Sequence, residues 1–432
     1  MSTDLRRERR RVAGRPGAAA VAGILALATV AVAIALWPRP PSPIPPPPTR
    51  AAGPTRTGDP PAGPIRPADS ERYLTLAKQG IADARRKWWN PQLGWYNDRL
   101  YDHDQYPLAT IWTLFGLFEA IEGVALAEPT PANRDAVQSF ATVAETYYNR
   151  SMGGYGPYQG SHTYGDEIWF DDNGWWGLAF VDAYRVTHDR RYLGDAALAL
   201  RFLDKQGWDA ATQRMRWSTR VHEKGSNLET LGGAAALAAE LYEYTGKTAF
   251  RDSARRYIRA ADRRAAPSPS NGRLYGSPDE PPLSYIEGTM IGAKLALCHR
   301  GDSRSCADAW RLAIHSYRHW KGRDPFYKPP ADTILFRYVL QLATDRRAAA
   351  AAARAHVRVA PAGLYAWARR AADDALRKGR IGILFLKFWD GSAAAAHRDG
   401  YRSYRYGQLM THGAPVALFA WLAAVPRLES AR

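Results

Sequence analysis

The sequence predicts an all-α domain of six helical hairpins, an (α/α)6 toroid, preceded by a transmembrane helix and a Pro-rich linker. Three observations carry this expectation. Beyond residue 70 the apolar positions recur with helical period almost throughout. The segments AYRVTHDRRYLGDAALALRFL, LYEYTGKTAFRDSARRYIRAA and LALCHRGDSRSCADAWRLAIHSY repeat one plan: a helix end, a short polar turn and an Ala-rich helix. The turns fall near Thr130, His188, Gly246 and Gly301, in steps of 58, 58 and 55 residues, with a further turn near Asp345 after 44. A step of that length holds two helices and two loops, so residues 70–432 accommodate six pairs. An open solenoid is the competing arrangement. Long Gly- and aromatic-rich loops at one end of each pair favour the closed ring, with a cleft on that face. Strand signals are few, and the Pro-rich breaks APSPSNG (residues 266–272) and SPDEPPL read as loops.

Taken in order, residues 1–17 are a basic tail containing RRERRR. Residues 18–37, AAAVAGILALATVAVAIALW, form an uncharged run of twenty, just long enough to cross a bilayer as a helix. The positive cluster before it predicts a cytoplasmic N-terminus and an extracytoplasmic remainder. A cleaved signal peptide, followed by secretion, is the competing reading, but the run is long for a signal core and ends in Leu36-Trp37-Pro38. Residues 38–69 include PPSPIPPPP; such a stretch builds no core and serves as a stiff spacer. Residues 70–432 form the helical domain.

Of the net charge of +17, residues 1–70 supply ten arginines against four carboxylates, leaving +11 for the domain. A basic surface suits anionic envelope polymers or lipid headgroups. Nucleic acid is excluded as a partner because the arginines are spread along many segments and no nucleic-acid motif is present. Fifteen Trp are compatible with sugar-stacking surfaces and equally with a large helical core. Cys298 and Cys306 flank the turn CHRGDSRSC and suit either a disulfide outside the cytoplasm or two free thiols.

Four segments, each just before a helix, concentrate aromatics, carboxylates or amides with Gly: WWNPQLGWYND (88–98), GDEIWFDDNGWWG (165–177), RWSTRVHEKGSNLET (216–230) and LSYIEGTMIGAK (283–294). Asp171 and Asp172 are the best catalytic pair. Glycoside hydrolysis needs two carboxyl groups flanking the scissile bond, one a proton donor and the other a nucleophile or base. Two adjacent carboxylates in an aromatic pocket repel, which raises one pKa and keeps a proton available near neutrality. A DDNG sequence alone would read as a helix cap. Its setting, between Trp169-Phe170 and Trp175-Trp176 and beside Asn173, favours the functional reading. Around it, Trp88, Trp89, Trp95, Asp98, Trp217, Lys224, Asn227, Tyr285 and Glu287 are the candidate substrate contacts. Asp166 or Glu167 could replace one member of the pair, and Glu223 could bind sugar hydroxyls. Glu287 also suits a helix start, where the dipole favours a carboxylate. His412 lies in an apolar segment and reads as a satisfied core histidine. No cofactor is expected: there is no zinc-ligand spacing, phosphate loop or nucleophile elbow, although carboxylate loops leave calcium open.

IWFDDNGWWGLAFVDAYRVTHDRRYL resembles the core motif of glycoside hydrolase family 76, the endo-α-1,6-mannanases, in which Asp-Asp precedes x-x-Trp-Trp and a T-x-D-x-x-Y-L turn. RMRWSTRVHEKGSNLETLGGAAALAAELYEYTGKTAF, LSYIEGTMIGAKLAL and DTILFRYVLQL are similar to three later segments of that family, so the match runs from about residue 75 to 425. The resemblance implies an (α/α)6 fold and retention of configuration, with Asp171 as nucleophile and Asp172 as acid/base. The chain departs from the family at Ile286-Glu287, where Asn-Gln is usual, and at Ile334-Leu335 in place of Lys-Gly. The function expected is hydrolysis of internal α-1,6-mannosidic bonds in a mannan polysaccharide or mannosylated envelope glycolipid. Transglycosylation by the same pair, and glycan binding without turnover, are the alternatives.

Overall fold

The structure, a computed structural model, describes residues 69–100, 108–160, 167–220, 228–268, 272–275, 282–321, 329–385, 389 and 407–430. The transmembrane and linker segments expected before residue 69 lie outside these residues. The described part is mostly helical: α1 (Ser70–Lys87), α2 (Ile111–Ala127), α3 (Pro131–Glu145), α4 (Phe170–Thr187), α5 (Arg191–Phe202), α6 (Leu228–Thr245), α7 (Thr248–Asp262), α8 (Ser284–His299), α9 (Ser303–Trp320), α10 (Pro329–Thr344), α11 (Arg346–Arg354), α12 (Pro361–Lys378) and α13 (Leu409–Ser430).

Burial separates two kinds of helix. In α4, α6 and α8 nearly every residue is buried, as expected of helices that are apolar all round. By contrast, α3, α7 and α9 bury one face and leave the other polar. The fully buried kind make contacts in a cyclic order: α2 on α4, α4 on α6, α6 on α8, α8 on α10, α10 on α13, and α13 back on α2. The amphipathic kind cover them from outside, α5 on α4, α7 on α6 and α9 on α8. Glycines let inner backbones touch. A Cβ on Gly288 would stand 2.6 Å from the Cα of Leu335, so α8 and α10 meet there with no room for a side chain. Among the described residues α13 alone is long and apolar enough to cross a membrane; at 89% buried it is instead a core helix.

The short turns lie where the sequence repeat placed them, and their chemistry explains the stops. His188, Gly246 and Gly301 adopt positive φ of 58°, 70° and 97°. Thr130, Asp302 and Asp345 cap the helices that follow, accepting from the N–H of Asn133, Ser305 and Ala348. At the other end α1, α3, α5, α7 and α12 are each followed by a two-stranded antiparallel hairpin: β1 (Trp89–Asn90) with β2 (Trp95–Tyr96), β3 (Tyr148–Asn149) with β4 (Gly154–Tyr155), and β5 (Trp208–Asp209) with β6 (Arg214–Met215). The series continues with β7 (Ala265–Ser268) and β8 (Gly272–Tyr275), then β9 (Arg380–Ile381) and β10 (Leu384–Phe385). The APSPSNG stretch is therefore not simply a loop. It supplies parts of β7 and β8, paired from Ala265↔Tyr275 to Ser268↔Gly272. A repeated need to turn from an outer helix back to an inner one overrides its Pro content.

Cys298 and Cys306 form a disulfide between α8 and α9. Toward the short-turn end, Arg337 of α10 is buried and ion-paired to Glu119 of α2 at 2.6 Å and to Asp182 of α4 at 2.5 Å. Asp182 also holds Arg185 at 2.8 Å, and Tyr338 donates to Glu240 of α6 at 2.9 Å. Breaking such a network by removing one partner is far more costly than its net contribution, because a charge is stranded in the core.

Candidate active site

The hairpins and the first turns of the inner helices share one end of the domain, and the aspartate pair sits there. Asp171 and Asp172 occupy the first turn of α4, where unpaired N–H groups and the helix dipole favour negative charge. That turn is fixed from both sides. Asn173 grips β4: its side-chain oxygen accepts from Tyr155 N at 2.7 Å, and its amide donates to the carbonyls of Tyr155 and Trp169, both at 2.9 Å. On the other flank Trp169 bridges to Ser218, and Phe170 N donates to Trp217 O at 2.8 Å. Glu167 extends this strap through an ion pair to Arg220 at 2.7 Å.

The strap delivers Trp217. Its indole N–H donates to Oδ2 of Asp171 at 3.1 Å, and it is 41% exposed, a large apolar face left open beside a carboxylate. The opposite oxygen of Asp171, Oδ1, is buried with no side-chain hydrogen-bond partner among the described residues. Burial raises the Asp171 pKa to about 7, with the nearby charge of Glu229 adding to the rise, while Trp217 and backbone N–H groups oppose it. Asp172 is pushed well above the ordinary carboxylate range, by burial first and then by the charge of Asp171. Burial and mutual repulsion thus lift both carboxyl groups, and the pair as a unit keeps a proton near neutrality.

Beneath the pair lies an aromatic cluster between the inner helices. Trp175 lies one helical turn below, 5.8 Å from Trp112, 5.4 Å from Phe115 and 5.5 Å from Tyr285 by ring centroids. Trp112 and Glu229 were not among the residues singled out by sequence. Glu229 stands in the first turn of α6, whose backbone touches that of α4 at Gly233 and Gly174 (3.5 Å from an ideal Cβ), one turn below.

Several sequence candidates are buried in the core, held by contacts within the protein. Trp88 is fully buried, donating to Gly407 O at 2.7 Å and packing on His412. Phe170 is buried and stacked on Phe202, and Trp176 donates to Ala144 O at 3.2 Å. Asn173 is a hairpin anchor, as described. Glu287 performs the same task for β8, accepting from Tyr275 N at 2.6 Å, and it is fully buried. Aromatics and carboxylates in loop-like segments read as ligand contacts, but here the hairpins need buried pins. Trp89 and Trp95 face an outer groove between α1 and α3, with Trp95 donating to Tyr147 OH at 2.8 Å. Asp98 joins Thr113 of α2 and, through its carbonyl, Leu409 N of α13. His412 is a core histidine facing the carbonyls of Gly80 and Ile383. Asp166, Glu223, Lys224 and Asn227 lie outside the described residues. No group of three or more potential metal ligands occurs among the described residues.

No protein-family model and no curated protein matches this sequence. Solved structures match the fold. A family 76 α-mannanase from Bacteroides thetaiotaomicron superposes with a TM-score of 0.66 at 16% identity, covering 84% of this chain and 100% of that one. An inactive variant of an α-1,6-mannanase from Salegentibacter sp., with two consecutive aspartates replaced by asparagine, was solved with α-1,6-mannotriose. It matches at a TM-score of 0.61 and 16% identity, covering 82% of this chain and 99% of that one. A cellobiose 2-epimerase from Bacillus thermoamylovorans is more distant, at 0.52 and 12% identity over 75% and 92%. The chain thus has the fold of family 76 glycoside hydrolases.

Proposed function

We propose that this chain is an extracytoplasmic glycoside hydrolase that cleaves internal α-1,6-mannosidic bonds with retention of configuration, on an (α/α)6 toroid. The observation that carries the reading is the placement of two adjacent carboxyl groups in the first turn of α4, with the Trp217 indole on Asp171 and its open face beside them, at the hairpin end of the inner helices. The cyclic order of inner-helix contacts supports the toroid. The family resemblance of the WFDDNGWW stretch and the mannotriose held by a structural neighbour support the substrate class.

In this mechanism Asp171, ionised and steadied by the Trp217 indole, attacks the anomeric carbon. Asp172 gives its proton to the departing glycosidic oxygen. The glycosyl ester on Asp171 is then hydrolysed by water that Asp172, now a base, deprotonates, so two inversions leave the original configuration. The open face of Trp217 stacks against the C–H patches of a mannose ring. Residues 18–37 anchor the enzyme in the membrane, residues 38–69 space it outward, and the Cys298–Cys306 disulfide suits that oxidising side. The test is proton NMR of the first products from linear α-1,6-mannan. Newly released reducing ends that appear as the α-anomer support the mechanism; first appearance as the β-anomer contradicts it.

A further inference from the structure

Glu229 stands half-buried in the first turn of α6 and has no hydrogen-bond or ion-pair partner among the described residues. The helix dipole lowers the cost of a charge at that place but supplies no partner for it. Its position is nonetheless well defined. Helices α4 and α6 both start at the hairpin end, and an ideal Cβ on Gly174 would lie 3.5 Å from the Gly233 backbone, so the two helices touch there. Asp171 precedes Gly174 by three residues and Glu229 precedes Gly233 by four. At those spacings each carboxylate lies one turn nearer the hairpins, on the contact side of its own helix. The two first turns therefore hold Asp171 and Glu229 side by side, and the charge of Glu229 is felt at Asp171. Like charges placed in this way oppose one another, and no described residue offsets Glu229.

The neighbouring groups suit a sugar ring. Helix α2 flanks α4 on the side away from α6. Its first turn carries Trp112, partly exposed, with its ring 5.8 Å from Trp175 and 6.2 Å from Tyr285 of α8. Trp217 adds its open face beside Asp171. A pyranose has apolar C–H faces and a rim of hydroxyl groups. Indole faces match the former, and a free carboxylate matches the latter, since it only accepts hydrogen bonds and a hydroxyl can donate one.

We propose that Glu229 accepts a hydrogen bond from a ring hydroxyl of the mannose that Asp171 attacks, and so fixes the rotation of that sugar over the nucleophile. The proposal rests on the glycosidase reading above and adds a contact which that reading does not contain. In an α-1,6-linked chain the attacked mannose has free hydroxyls at C2, C3 and C4. Glu229 belongs to the helix adjoining that of the nucleophile, so its carboxylate faces this ring rather than sugars further along the chain. The donated hydrogen bond also offsets the charge that opposes ionisation of Asp171, so that binding prepares the nucleophile.

The test uses the full chain and aryl α-1,6-mannotriosides whose aryl-bearing mannose is intact or lacks its hydroxyl at C2, C3 or C4. Release of the aryl group requires that mannose to lie at Asp171, which fixes the register. Measuring kcat/KM for the parent, Glu229→Ala and Glu229→Gln, each at its own pH optimum, keeps a displaced Asp171 titration out of the comparison. Relative to the intact substrate, one deoxy substrate should cost the parent roughly tenfold to a hundredfold more than it costs Glu229→Ala, the range for a hydrogen bond to a charged group. Glu229→Gln, a neutral acceptor of the same shape, should recover part of that difference. The other two deoxy substrates should cost all three proteins equally, which a merely structural role for Glu229 would predict for every substrate. Equal penalties in the parent and Glu229→Ala throughout would overturn the proposal and leave Glu229 acting on Asp171 by charge alone. A parent that cleaves none of the substrates defeats the glycosidase reading instead, and calorimetric affinities for the same compounds then decide the role of Glu229 by the same comparison. Absence of binding by the parent would overturn both.

Discussion

The indole N–H of Trp217 donates to Oδ2 of Asp171 at 3.1 Å while 41% of the Trp217 surface stays open. In the proposed mechanism one side chain thus stabilises the nucleophile's charge and offers a face to the sugar. The two roles are separable. Trp217→Phe keeps an aromatic face and removes the donor, so the Asp171 pKa rises above its present value of about 7. The acidic limb of the kcat/KM profile should move to higher pH, by up to about one unit given the exposure of the pair. Initial rates on α-1,6-mannan across pH 5 to 9 check this; an unmoved limb with only KM raised would reduce Trp217 to a platform.

Glu229 acts in the opposite sense. Its charge contributes to the rise in Asp171, so Glu229→Gln should lower that pKa and extend activity to more acidic pH. The same profile, measured on this variant and on Trp217→Phe, should show displacements of opposite sign. Parallel displacements would indicate a general loosening of the site.

Glu287 makes a prediction about stability. Burial raises its pKa from 4.5 to about 8, so the folded state keeps a proton that the unfolded chain releases. Between those values the native state binds more protons than the unfolded one, and stability falls as pH rises through the interval. Glu287→Gln retains the acceptor for Tyr275 N–H and cannot ionise. Its Tm relative to the parent should therefore be nearly level at pH 4.5 and increasingly favourable toward pH 8. Glu119 and Glu240, both raised to about 7, add the same trend to parent and variant alike. A Tm difference independent of pH would contradict this account.

The helical hairpins were legible because turn chemistry and apolar period repeat together: Gly246 and Gly301 stop helices where positive φ is needed, and Thr130 and Asp302 restart them. The aspartate pair was legible because carboxylates between indoles need a reason. What misled was the aromatic content itself. Trp88, Trp175, Trp176, Trp310, Trp367 and Trp421 are all fully buried, so most of the Trp excess is core rather than cleft. Strands of two to four residues carry too little pattern to register, so the part Asn173 and Glu287 play in pinning hairpins could not be read from sequence. Glu229 went unnoticed because its significance comes from α6 touching α4 at Gly233 and Gly174, a relation between segments some sixty residues apart in sequence. Arg337 was equally invisible: an arginine in a helix reads as surface until its partners on other helices are known.

The central claim is that Asp171 and Asp172 divide nucleophile and proton donor between them. The most direct measurement is turnover of linear α-1,6-mannan and of an α-mannoside with a good leaving group, by the parent, Asp171→Asn and Asp172→Asn. Both variants should lose mannan turnover by at least about a thousandfold, an effect on the scale of removing a nucleophile or general acid. Asp172→Asn alone should still form a glycosyl-enzyme from the activated substrate, seen as a burst of leaving group and as a mass increase on the peptide carrying Asp171. Full turnover in either variant, or a burst that survives in Asp171→Asn, would contradict the assignment.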